Sequence, residues 1–235
     1  MGLLKKLIKR FTKPRCNICG GQKFGPGPKG RSSQTGRPPR CKRCRSVERH
    51  RVFRKIFLEL GPSRLGTLRC LQFSPDPTVE SRWFQTHEVS VFNKSNSLDL
   101  QRIDRRDASY DVIVCNHVLE HVPDHRAALR ELGRILSARG FLFLSFPDPC
   151  RLDRTTDWGS PDPNDHEHYR HFGRDVEEVF RQELPDCHVV AVTATDAAIG
   201  THDLAYVVTR NEDWLRRLCN LKLEARVCTP SALAS

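Results

Sequence analysis

Four cysteines carry the sharpest chemistry in this chain. Cys16-x2-Cys19 and Cys41-x2-Cys44 bracket a stretch of twenty-one residues. Each pair forms a knuckle that aims two thiolates at one point, and two knuckles complete the tetrahedral sulfur set that zinc accepts. With all four positions filled by cysteine the site is closed, so its expected role is structural. The stretch between the pairs is rich in Gly, Pro, Lys and Arg and has little to bury beyond Phe24. Its fold should therefore depend on the metal. Two paired motifs at this spacing speak against redox disulfide chemistry.

Histidines come next. His166, His168 and His171 cluster in HEHYRHFGRD, and His121 follows an apolar run. Imidazole titrates near neutral pH and commonly takes a proton from a reacting group, which makes His168, His171 and His121 the candidate general bases. His117-x2-Glu120-His121 also matches the H-x-x-E-H pattern of a group of zinc proteases. That chemistry needs both histidines on one helix. Here the motif follows a strand directly and Pro123 cuts any helix short, which argues against the protease.

The elements that position these groups are clearest from Ser109 to Pro149. Tyr110–Cys115 is an apolar run rich in β-branched residues, as in a strand buried on both faces. From Arg126 the residues Ala127, Ala128, Leu129, Leu132, Ile135 and Leu136 recur at helical spacing, with Gly140 as the expected stop. Phe141–Phe146 is a second strand, ended by Pro147. Strand, crossover helix and strand predict a parallel βαβ unit. Ligands of such sheets bind beyond the carboxyl ends of the strands, here at Asn116–Asp124 and Pro147–Pro149.

Around this unit, Ser46–Leu60 reads as a connector helix with Ser46 as its N-cap and His50 on its surface. Thr67–Phe73 and Glu88–Phe92 read as strands, with Thr78–Thr86 helical between them. Only six residues separate Phe92 from Asp99, too few for another crossover helix, so the sheet should be abbreviated there. Asp148–His166 is a polar, proline-containing loop expected to act as a lid. Gly173–Leu184 reads as a helix, Cys187–Thr195 and Leu204–Thr209 as an antiparallel hairpin, and Asn211–Ala225 as a last helix.

Charge divides the chain. Residues 1–60 carry 18 Lys and Arg against two acids, a net of +16, while the remainder carries 21 against 26, a net of −5. A basic head implies an anionic partner, either a membrane surface or nucleic acid. Gly2–Arg15 has the spacing of a short cationic amphipathic helix that could lie in a lipid interface or pack on its own protein. Arg37, Arg40, Lys42, Arg43, Arg45, Arg49, Arg51 and Arg54 are possible phosphate contacts, although few aromatics accompany them. No apolar run reaches the roughly 20 residues that span a bilayer, and no secretory signal is visible. The expected location is cytoplasmic, with peripheral membrane association left open. The six remaining cysteines read as buried thiols. The division that follows is a basic helix at 1–15, a zinc ribbon at 16–45, a connector at 46–62, an α/β domain at 63–228 and a disordered tail at 229–235.

One resemblance covers nearly the whole chain. Asp107-x-Ser109-Tyr110-Asp111, the motif Asn116-His117-Val118-Leu119-Glu120-His121-Val122-Pro123-Asp124, and Arg130-Glu131-Leu132-x-Arg134-Ile135-Leu136 resemble the fourth strand, following helix and fifth strand of class I S-adenosylmethionine-dependent methyltransferases of the type 11 group. Ser-x-Glu-Arg-His-Arg at 46–51 after a four-cysteine knuckle pair resembles a bacterial subgroup. The resemblance implies a Rossmann-like α/β fold and S-adenosylmethionine as cofactor. It implies cofactor contacts from Phe73, Ser74, Asp76, Asn93, Asp99, Leu100, Asn116 and His117, with Asp99 toward the adenine. The usual Gly-x-Gly after the first strand is replaced by Ser74-Pro75-Asp76, and Asn93 stands where an acid would grip the ribose. The implied reaction is methyl transfer to a small-molecule, glycan or lipid-linked acceptor, with the ribbon aiding docking. The alternative is a non-catalytic methyltransferase scaffold whose basic ribbon binds nucleic acid or protein.

Overall fold

The computed structural model of the chain describes residues 14–228. The expected amphipathic helix, apart from Pro14 and Arg15, and the tail from 229 lie outside the described residues. Near the amino end, β1 (Phe24–Gly25) and β2 (Arg40–Cys41) pair antiparallel beside the four cysteines. The chain continues through α1 (Glu48–Leu60), β3 (Arg69–Phe73), β4 (Thr86–Ser90), β5 (Tyr110–Asn116), α2 (His125–Ile135) and β6 (Leu136–Ser145). Then follow β7 (Thr156–Asp162), β8 (His168–His171), α3 (Val176–Glu183), β9 (His188–Thr195), β10 (His202–Thr209), α4 (Glu212–Cys219) and β11 (Glu224–Val227).

Seven of these strands form one sheet in the order β11-β9-β10-β6-β5-β3-β4. β4, β3, β5 and β6 run parallel, whereas β10 joins β6 antiparallel and carries β9 and β11. The expected α/β architecture, parallel βαβ unit and antiparallel closing hairpin are all present. So is the abbreviation: β4 is an edge, and the turns after it lead directly to Asp99. Two apolar cores flank the sheet. One packs α2 and α3 through Leu129, Leu132, Val176 and Phe180 against Ile113 and Leu142. The other packs α1 and α4 through Phe53, Phe57, Trp214 and Leu218 against Val112, Phe141 and Phe143. The helix from 48 to 60 is thus part of the body rather than a tether, because its apolar side covers that face of the sheet together with α4.

Several boundaries differ from expectation. Thr78–Thr86 makes only a single 3-10 turn, Ser81–Trp83. The face it would cover is taken by α1, and Trp83 packs beside Phe57 with ring centroids 6.5 Å apart. α2 ends at Ile135 instead of near Gly140, because Asp111 draws the following residues into the sheet. Ser137 Oγ donates to Asp111 Oδ1 at 2.6 Å and Arg139 Nη2 to Oδ2 at 3.0 Å. Gly140 is not a stop; a Cβ there would meet the Asp111 carbonyl oxygen at 1.5 Å. The last helix ends at Cys219, and 224–227 pairs with β9. Val47, not Ser46, precedes α1, and Ser46 Oγ instead lies 3.1 Å from Cys44 Sγ and 3.4 Å from Cys16 Sγ. Of the six other cysteines four are buried, while Cys150 and Cys219 are exposed. Among the described residues no helix is long and apolar enough to cross a membrane.

Candidate active site

The parallel strands end together, so Phe73, Ser90, Asn116 and Ser145 mark one rim of the sheet. Asn116 ties three of these ends to one another. Its Nδ2 donates to Asp76 Oδ2 at 3.0 Å, and its Oδ1 accepts from Ser145 Oγ at 3.0 Å. Asp76 Oδ1 also accepts from the Thr78 amide at 2.7 Å. Phe73 and Leu100 are buried in the core beneath this rim, so they support it from below. Ser74 is exposed and has φ of 64°, the left-handed backbone for which glycine is the usual choice. Asn93 is exposed with φ of 56°, and Asp99 is exposed with Oδ1 accepting from the Gln101 amide. Ser74 Oγ, the Asn93 amide and Asp99 Oδ2 make no hydrogen bond to the described residues, leaving polar atoms free along the rim. This donor and acceptor set suits a polar nucleoside, although Asp76 and Asn116 spend hydrogen-bonding capacity on each other.

Beside the rim lies a cleft of about 450 Å³. His117, Pro147 and Asp148 come from the strand ends, His171 from β8, and Asp203 from β10. The opposite wall is Arg31 and Gln34 of the cysteine unit with Glu48 and Arg49 of α1. Only the fold brings these together. Arg31 pairs with Glu48, whereas Arg49 has no polar partner among the described residues. Burial pushes the Asp203 carboxyl above the usual carboxylate range, against the opposing pull of His117 and Arg49. His50, expected on the helix surface, is half-buried beside the rim. Burial lowers it to about 4, with the charges of Arg49 and His117 adding to the shift and Asp76 opposing it.

The cysteine unit is fixed to the body by a buried ion pair. Arg51 is fully buried, and its Nη2 donates to Asp196 Oδ2 at 2.7 Å and to the Pro39 carbonyl at 2.8 Å. Arg51 Nη1 donates to the Ser46 carbonyl at 2.9 Å. Thr35 Oγ1 donates to the Ile199 carbonyl at 3.0 Å. Arg51 is therefore unavailable to a phosphate, as is Arg54, which is buried on Trp83 and paired with Glu80. Sequence reasoning read both as surface charges because it saw only their neighbours in the chain.

Within the unit, Cys16 and Cys44 have sulfurs 3.7 Å apart, and those of Cys19 and Cys41 are 3.6 Å apart. All four lie within 4.8 Å of one another. A tetrahedral ZnS₄ centre with Zn–S of about 2.3 Å has sulfurs about 3.8 Å apart, so the donor set fits a metal of that size.

The candidate bases are spread over two settings. His171 lines the cleft, with Nε2 held by Asp165. His168 is buried and His121 sits over the 3-10 turn Leu119–His121, their ring centroids 4.7 Å apart. Neither lines the cleft. The expected open lid at 148–166 is partly a hairpin, β7 against β8. His117 has φ of 51° and is not on a helix with His121, so the H-x-x-E-H geometry of a protease does not form.

Residues 47–182 match the family described as "Methyltransferase domain". The chain belongs to this family, and it is an enzyme of the methyltransferase class. Among solved structures, a Mesorhizobium loti S-adenosylmethionine-dependent methyltransferase aligns at 13% identity over 66% of this chain and 95% of its own, with a TM-score of 0.48. The Burkholderia thailandensis 1,6-didemethyltoxoflavin-N1-methyltransferase aligns at 15% identity over 68% and 82%, with a TM-score of 0.45. The methyltransferase CalH aligns at 16% identity over 37% of this chain and only 34% of its own, with a TM-score of 0.31. Likenesses this distant assign neither acceptor nor cofactor. No curated protein matches the chain.

Proposed function

We propose that this chain transfers a methyl group from S-adenosylmethionine to an acceptor held in the cleft between the cysteine unit and the sheet rim. The observation that carries the reading is the shared wall: Arg31, Gln34 and Arg49 face His117, Asp148 and Asp203 across one cavity. S-adenosylmethionine supplies a methyl on a sulfonium, so the reaction is an in-line displacement by an O, N or C nucleophile. Ser74, Asn93 and Asp99 would hold its adenosyl part along the rim, with Asn116 and His117 near the methionine end. His117 Nε2 is buried without a hydrogen-bond partner among the described residues, which suits a group that meets a ligand.

The chain's own contribution is positioning, which supplies much of the rate of such reactions, together with removal of the acceptor's proton. His171 is the base nearest the acceptor, oriented by Asp165. His121 and His168 lie outside the cleft lining and take no proton in this reading. The cysteines would hold a structural zinc, and the ribbon it orders forms the acceptor's outer wall. Unpaired Arg49 beside Arg151 on the cleft favours an acceptor with an anionic group, such as a glycan phosphate or a lipid-linked phosphate. A cytoplasmic location, with the basic head near a membrane surface or nucleic acid, is consistent with that reading.

Calorimetric titration of full-length, zinc-loaded protein with S-adenosylmethionine and S-adenosylhomocysteine tests the proposal. Micromolar binding that Asp99→Ala weakens at least tenfold is the expected result. No binding by a folded, metal-loaded protein would overturn it and leave a non-catalytic binding module.

A further inference from the structure

Glu120 stands out among the described residues because it is fully buried and neither of its carboxylate oxygens makes a hydrogen bond to those residues. Oε1 lies 3.2 Å from His117 Nδ1, but without hydrogen-bond geometry. A buried carboxylate left in this state costs several kcal/mol, so the environment implies a cation that completes it. Two histidines stand ready. One ligand atom from each of Glu120, His121 and His168 lies within 4.8 Å of the others. His168 is more than nine-tenths buried, and its Nδ1 makes no hydrogen bond.

We infer that Glu120, His121 and His168 form a second metal site, for a divalent transition ion of the kind that two imidazoles and one carboxylate bind with coordination positions left open. The outer partners are those such a site uses. A ligating histidine commonly directs its other ring nitrogen to a carbonyl or a carboxylate. His121 Nδ1 lies 3.3 Å from the Glu167 carbonyl oxygen, whereas His168 Nδ1 lies 3.3 Å from Asp165 Oδ2 without hydrogen-bond geometry. Nε2 of His121 is thereby left for the metal, and the His168 ring brings an unpartnered nitrogen to the same place. Arg170, on the same strand as His168 and 1% exposed, braces the two halves of the site. It donates to the carbonyls of Leu119, Val122 and Pro123 and to Asp157.

Asp165, His168 and His171 form an overlapping set within the same distance. There Asp165 Oδ2 is also buried without a hydrogen bond, but it is already ion-paired with His171 and both residues are more exposed than Glu120. The imidazole content separates the site from magnesium and calcium, which take oxygen ligands. The inference does not rest on methyl transfer: the site braces β8, and with it the cleft wall at His171, whatever the acceptor.

Cobalt(II) titration of full-length protein carrying a single equivalent of zinc tests it, because that zinc goes to the thiolates and cobalt does not displace it there. One equivalent should bind with visible d–d absorption and no thiolate-to-metal charge transfer. His121→Ala and His168→Ala should each weaken it at least tenfold, and Glu120→Gln likewise, while His166→Ala and His171→Ala leave it intact. His121 is only partly buried, so its variant keeps the test valid if His168→Ala fails to fold. No stoichiometric d–d absorption, a spectrum dominated by thiolate charge transfer, or loss in His171→Ala with retention in His121→Ala would overturn the proposal.

Discussion

The cysteine cluster and the Glu120–His121–His168 cluster differ in how they are assembled. The four cysteines fall within 29 residues (16–44), in two pairs whose geometry each knuckle sets by itself. The second cluster joins a turn after β5 to a hairpin strand more than forty residues later, and it depends on Arg170 to hold the turn against that strand. Both gather metal-ligating side chains, yet only the first announces itself by spacing. Local geometry is written in the sequence interval; non-local geometry is written in what the fold buries.

Removing the zinc proposed for the four cysteines should have the largest effect. With Phe24 almost alone as an apolar residue, the ribbon has no core to fall back on, and structural zinc contributes on the order of 10 kcal/mol in small metal-dependent units. Chelation or Cys41→Ser should abolish amide-exchange protection across 16–47 while β5 and β6 stay protected. Retained protection in the ribbon would erase the contrast between the two clusters.

Arg51→Ala comes next. It strands Asp196 in the interior, and breaking a buried pair costs about 3–5 kcal/mol. Urea denaturation should show that loss, with part of it recovered in the Arg51→Leu/Asp196→Leu double variant. An unchanged midpoint would mean that the ribbon docks by other contacts.

Glu120→Gln sharpens the comparison because its sign depends on the metal. In metal-free protein it removes an uncompensated charge and should stabilise by about 1–3 kcal/mol. With metal added the same change should be destabilising relative to the parent chain. Thermal melts with and without the ion give both numbers, and identical shifts in the two conditions would remove the second cluster from consideration as a metal site.

The smallest effect concerns His50, which lies on α1 between the cysteines and the sheet rim. Its folded value of about 4 is below the usual 6.5. Above pH 6.5 both states leave the ring neutral. As pH falls from 6.5 toward 4 the unfolded chain takes up a proton that the folded ring resists, so stability declines with a slope of up to one proton. His50→Gln should flatten stability across that window in denaturation series at stepped pH.

The sequence by itself determined the cysteine knuckles, the β5–α2–β6 unit and the antiparallel close of the sheet. These rest on intervals of two to a few residues and on apolar periodicity, which short-range geometry converts directly into structure. It misjudged Gly140 and Leu136–Arg139 because Asp111, more than twenty residues away, competes for that backbone through Ser137 and Arg139. It took Arg51 and Arg54 for surface charges because burial depends on what packs above a helix. Only the tertiary structure decided that the ribbon walls the cleft and that His168 meets Glu120. Those pairings join residues dozens or more positions apart, and no local interval encodes them; the shared apolar core and a few buried charges bring them together.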